Sequence, residues 1–113
     1  MELNEKDKDG QYPLYWAISN RNVEIVQLLL KYALQHQIIL KLNEKDIYGQ
    51  YPLYWAIRYN NIEIVKLLLK YALQNKISLE YEKNYWFIED KPKIKILIQN
   101  YEQGIEMMKV IKK

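Results

Sequence analysis

Gly10-Gln11-Tyr12-Pro13-Leu14-Tyr15-Trp16-Ala17-Ile18 is followed, later in the chain, by the same nine residues as Gly49 to Ile57. A shift of 39 residues lays residues 4–40 over residues 43–79, and 27 of the 37 paired positions are identical. A second block, Leu28 to Gln35, returns as Leu67 to Gln74. A period of this size marks a stack of copies of one supersecondary unit, which cannot bury its apolar surface alone.

Within each unit the local signals read turn, helix, turn, helix. Asp7-Lys8-Asp9-Gly10, paired with Asp46-Ile47-Tyr48-Gly49, is a turn cluster. Pro13 and Pro52 suit the first position of a helix, where a missing N–H costs nothing. The spacing predicts short first helices over 13–19 and 52–58, ending in Asn20-Arg21-Asn22 and Asn60-Asn61. Asn22 and Asn61 are placed to cap second helices over 23–35 and 62–74, with Glu24 and Glu63 at the positive end of the dipole. In the first of these, Glu24, Gln27, Lys31 and Gln35 form one polar stripe and nearly everything else is apolar, so neighbours must cover the remaining sides.

Gly-x-x-Pro-Leu-x-x-Ala followed by Glu-Ile-Val-x-Leu-Leu-Leu, at Gly10–Leu30 and again at Gly49–Leu69, resembles the ankyrin repeat. The resemblance implies an all-α solenoid of helix–turn–helix units and a role in holding other proteins. The unit departs from the family in three ways. Its period is 39 rather than 33 residues, with a second helix longer by about a turn and an extended apolar link, Ile38-Ile39-Leu40-Lys41-Leu42, before the next unit. The usual Thr-Pro-Leu-His reads Tyr12-Pro13-Leu14-Tyr15, and the glycine between the helices is Arg21 or Asn60.

These readings give a single domain over 1–113: two full repeats, at about 4–42 and 43–81, and a degenerate capping repeat at about 82–113. In that cap Pro92 to Ile98 reads as a first helix, Gln99 to Gly104 as a turn, and Ile105 to Ile111 as a second helix; one continuous helix over 93–112 competes with this. Trp86 and Phe87 are expected to seal the side of the cap, and Trp16 and Trp55 to lie in the core. The first unit has no polar modification and opens as if in mid-linker, so further repeats or adjoining domains of a longer chain are expected.

Composition narrows the function further. Half of the residues are hydrophobic and 27% are charged, the balance of an ordinary globular protein. No residue is cysteine, which removes disulfides and thiolate chemistry and suits a reducing, cytoplasmic setting. No apolar run approaches a membrane span, so no membrane partner is expected. His36 is the single histidine, so neither a catalytic triad nor a paired-histidine metal site can be assembled. Asp7-Lys8-Asp9-Gly10 opens like a calcium loop but lacks its remainder. The chain is therefore read as a non-enzyme without catalytic residues, metal or cofactor. Net charge is +3, with six basic and two acidic residues in 91–113. Nucleic-acid binding through Lys91, Lys93, Lys95, Lys109, Lys112 and Lys113 ranks behind protein binding, as does a role as a structural spacer.

The ten differences between sister units single out a surface. Lys8/Ile47 and Asp9/Tyr48 fall at the turn tip, and Ser19/Arg58, Asn20/Tyr59 and Arg21/Asn60 at the end of the first helix. By resemblance to ankyrin repeats, those two places line a concave face that meets a partner protein. The second unit's version is rich in the aromatic and arginine side chains that dominate binding hot spots.

Overall fold

The computed structural model describes residues 3–8, 10–81 and 90–111, so the expectations for Trp86 and Phe87 lie outside them. Among the described residues five helices follow in order: α1 (Pro13–Ser19), α2 (Val23–Gln35), α3 (Pro52–Arg58), α4 (Ile62–Gln74) and α5 (Pro92–Ile111). The first four fall where the sequence places them. Proline opens α1 and α3, and the side chains of Asn22 and Asn61 accept from Ile25 N and Ile64 N at 3.1 Å, capping α2 and α4. Each of these helices ends through a residue in the left-handed region: Arg21 (φ 56°), Gln37 (56°), Asn60 (54°) and Lys76 (57°). The amide one residue further on then reaches back into the last turn, as Asn22 N does to Ala17 O at 3.0 Å and Ile38 N to Ala33 O at 2.9 Å.

Packing sorts the helices into two rows. α1 lies against α2 and α3, α3 against α4, α2 against α4, and α4 against α5. First helices form one row and second helices the other. Between them sit Ala17, Ile18, Val26 and Ala33, with their sisters Ala56, Ile57, Val65 and Ala72, each no more than 1% exposed. Small residues at the row interface let the helices approach closely, and the larger aliphatics fill the space beside them.

After α2 the chain runs on as an extended linker. Leu40 and Leu42 point inward while Ile39 and Lys41 point out, an alternation proper to a strand. Side chains satisfy its backbone. Asn4 donates to Ile39 O at 3.0 Å and accepts from Lys41 N at 3.2 Å. From the next unit, the Tyr71 hydroxyl donates to Ile38 O and accepts from Leu40 N, both at 3.2 Å. The second linker repeats the device. Asn43 bridges Ser78 O (2.9 Å) and Glu80 N (2.6 Å), and Tyr101 bridges Ile77 O and Leu79 N at 2.8 Å each. Burial pushes the Tyr71 and Tyr101 phenols above their ordinary value, so the protons that make these bonds are held firmly.

The C-terminal segment differs from the two-helix cap. α5 is continuous from Pro92 to Ile111, and no turn forms at 99–104. Its buried Ile94, Ile98 and Tyr101 match Ile64, Leu68 and Tyr71 of α4, so it stands in the second-helix row throughout. The pairing of Ile105 to Ile111 with the start of α4 is thus displaced. Gly104, which suggested a break, is instead a point of close approach. A Cβ there would stand 3.0 Å from Leu73 Cδ2. Glycine in mid-helix costs about 1 kcal/mol relative to alanine, and here its small size lets α5 settle on α4.

Candidate partner-binding surface

The turn tips are built around two aspartates. The Asp7 carboxylate accepts from Gln11 N at 3.0 Å, closing the first tip as the turn expected of it. Asp46 does more: its Oδ1 accepts from Tyr48 N (2.9 Å) and Gln50 N (3.0 Å), and its Oδ2 from the Trp55 indole (2.8 Å). Asp46 is only 6% exposed, so three donors offset the cost of burying the charge. Gly10 and Gly49 close the tips at φ 72° and 76°. The tips abut, since a Cβ on Gly10 would stand 3.0 Å from Ile47 Cγ2.

From the second tip a row of aromatic rings runs toward the end of α3. Tyr48 meets Trp55 edge-on at 6.1 Å between centroids, and Trp55 stacks on Tyr59 at 5.9 Å and 28°. Tyr54 supports Trp55 from the side at 5.0 Å. The row then crosses between units, because the Arg21 guanidinium lies 4.4 Å from the centroid of the Tyr59 ring. Tyr48 is 64% exposed, while Trp55 and Tyr59 are half-buried, so the rings are held yet accessible. Fixed aromatic faces with a guanidinium beside them offer apolar area at little entropic cost, together with donors for an acidic or amide group.

Of the residues that sequence comparison singled out, the structure gathers Tyr48, Tyr59 and Arg21 into this row. Ile47, 60% exposed, joins the two tips, and Arg58 and Asn60 are exposed beside Tyr59 at the end of α3. Lys8 is exposed on the first tip, whereas Asp9 lies outside the described residues. Ser19 is half-buried at the end of α1. Asn20 is exposed, but its amide donates to Trp16 O at 2.8 Å, a helix-end bond of local use.

Two corrections concern the tryptophans. Trp16 is 50% exposed and lies outside the core, while Trp55 is half-buried and packs against the core from its edge. α1 and α3 face solvent along one side, and the tryptophans occupy that side. Sequence comparison did not single out Trp55 or its buried anchor Asp46 for this row, although Trp55 lies four residues before Tyr59, a helical spacing that puts the two rings together. Leu28 and Leu34 also remain exposed, at 64% and 46%, on the outer side of α2.

The basic C-terminal set is not gathered in the same way. Lys91 and Lys95 are half-buried, Lys93 is exposed, Lys109 lies 3.2 Å from Glu106, and Lys112 and Lys113 fall outside the described residues. His36 caps α2 and lies against Tyr32 at 4.1 Å, far in sequence from the aromatic row. Among the described residues, no helix is long and apolar enough to cross a membrane.

Two rows of helices, extended linkers and one exposed side of turn tips and first helices define a stacked helix-pair repeat protein. A family model described as "Ankyrin repeats (3 copies)" matches residues 1–79, and the chain belongs to the ankyrin repeat family. Repeats of this family are generally protein–protein interaction modules and typically non-enzymatic. Comparison with curated proteins returns no match.

Proposed function

We propose that this chain, taken as one repeat domain, holds a partner protein on the face formed by its turn tips and the ends of its first helices. The row Tyr48–Trp55–Tyr59–Arg21 carries the reading, because it places hot-spot residue types side by side across both units. Three of its four residues, Tyr48, Tyr59 and Arg21, stand at positions where the two units differ, whereas Val23/Ile62 elsewhere barely changes. The test is a Tyr48→Ala, Arg58→Ala, Tyr59→Ala triple variant. A partner is captured with the intact chain, identified by mass spectrometry, and its affinity for both chains measured by calorimetry. Loss of at least about 2 kcal/mol, roughly 30-fold, with an unchanged helical circular dichroism spectrum is expected. Full affinity in the variant would sink the assignment. The spacer reading draws on a different observation, the exposed side of the first unit.

A further inference from the structure

The second-helix row leaves a groove between each pair of neighbouring helices, and its two grooves are built at equivalent positions. Leu30, Lys31 and Leu34 of α2 wall the first, and their sisters Leu69, Lys70 and Leu73 of α4 wall the second. Across the gap stands α4 in one case and α5 in the other. The register that sets Ile94, Ile98 and Tyr101 on Ile64, Leu68 and Tyr71 also sets Leu97 on Leu67, Asn100 on Lys70 and Gly104 on Gln74. Two long side chains thus give way to a short one and to none. The α4–α5 groove measures about 410 Å³, against about 220 Å³ for its sister.

Charge separates the grooves as well. Lys66 stands where the first unit has Gln27, so the α4 rim of the wider groove carries Lys66 and Lys70 one helical turn apart, both exposed. Lys70 faces no carboxylate among the described residues, and Lys66 has the exposed Glu63 at 4.0 Å, a surface pair of little worth. Opposite them the α5 rim is the uncharged Asn100. Between the rims lie the half-buried Leu73 and Leu97, with buried Tyr101 beside them. A phosphate chain would set its charges against leucine here, whereas a helix ridge packs into a groove between two helices and covers it.

We infer that the α4–α5 groove is a second docking surface, which takes an amphipathic helix of a partner protein with leucine-like side chains on one stripe and two carboxylates a turn apart on the edge facing Lys66 and Lys70. The stripe covers Leu73 and Leu97, and the carboxylates supply the charge that the rim lacks. The groove lies on the second-helix row and the aromatic row on the first, so the two assignments stand or fall separately.

A fluorescein-labelled synthetic peptide of about 18 residues, with a leucine stripe at helical spacing flanked by glutamates, probes the full chain by fluorescence anisotropy. It is expected to bind at least about tenfold tighter than a scrambled peptide of the same composition, or one with lysine for every glutamate. Lys66→Glu with Lys70→Glu, both at exposed positions, should abolish that binding and transfer it to the lysine peptide, with the helical circular dichroism spectrum unchanged. Asn100→Trp fills the groove while leaving the lysines in place, and should weaken the acidic peptide by a similar factor. Undiminished binding in Asn100→Trp reduces the contact to charge attraction and overturns the inference. So does an acidic peptide that binds no better than the scrambled one. Phosphatidylcholine–phosphatidylserine vesicles cover the remaining occupant: if they bind through the two lysines and the acidic peptide does not, the groove serves a lipid surface and the assignment fails.

Discussion

Arg21 shows how a single residue serves two demands. It ends α1 at φ 56°, a conformation that costs a non-glycine residue about 1–2 kcal/mol, where the family pattern has glycine. Its guanidinium over Tyr59 returns part of that, in the range of about 0.5–1 kcal/mol for an exposed cation–π pair. Arg21→Ala keeps the backbone strain and loses the stack, so it should destabilise by about 1 kcal/mol in urea titration. Arg21→Gly relieves the strain but enlarges the unfolded ensemble, and should stay within about 0.5 kcal/mol of the natural chain. Both variants should weaken the partner about equally; if Arg21→Gly binds as tightly as the natural chain, the guanidinium lies outside the interface.

At the scale of elements, the linker is the feature that distinguishes this repeat. An isolated extended segment exposes N–H and C=O groups that a sheet would pair. Here an asparagine from its own unit and a tyrosine hydroxyl from the next helix take that place on opposite edges. The linker is thus also the join between units, and its bonds cross the interface. Tyr71→Phe leaves one donor and one acceptor unmet next to buried Leu40, and is expected to cost about 1–3 kcal/mol, read from the melting midpoint. A change below about 0.5 kcal/mol would mean that water serves the linker equally well. α5 makes the same point from the other side. It is one helix over 92–111, where the sequence suggested two, yet it keeps the tyrosine that closes the preceding linker.

Phenols that lose contact with water on folding set the response of the whole molecule to alkali. Tyr15, Tyr71, Tyr81 and Tyr101 all titrate above the ordinary phenol value of 10.0, with burial the leading cause. Tyr15 donates to Glu44 O, across the join between the units. The folded chain therefore keeps these protons at pH values where the unfolded chain loses them. The stability they contribute is intact below about pH 10 and falls as pH rises toward the folded values. The urea midpoint should hold steady from about pH 8 to 9.5 and drop steeply by about pH 11, less steeply in Tyr71→Phe. An unchanged midpoint at pH 11 would contradict the account.

The repeat, its period and the four helices of the two units were legible in the chain itself. Proline at the first helical turn, asparagine caps and the apolar pattern are local signals, and they act within a few residues of where they are read. The positions that differ between units could likewise be marked from sequence, Tyr48, Tyr59 and Arg21 among them. Which of them meet could not, because Arg21 and Tyr59 come from different units and are joined only by stacking. The exposure of Trp16 and Trp55 was hidden for a related reason: a helix with apolar residues on most sides does not say which side its neighbours leave open. Gly104 reads as a break until Leu73 is seen against it. The tertiary structure decided these matters, since each depends on contacts between segments far apart in the chain, where the balance of burial and close approach outweighs local preference.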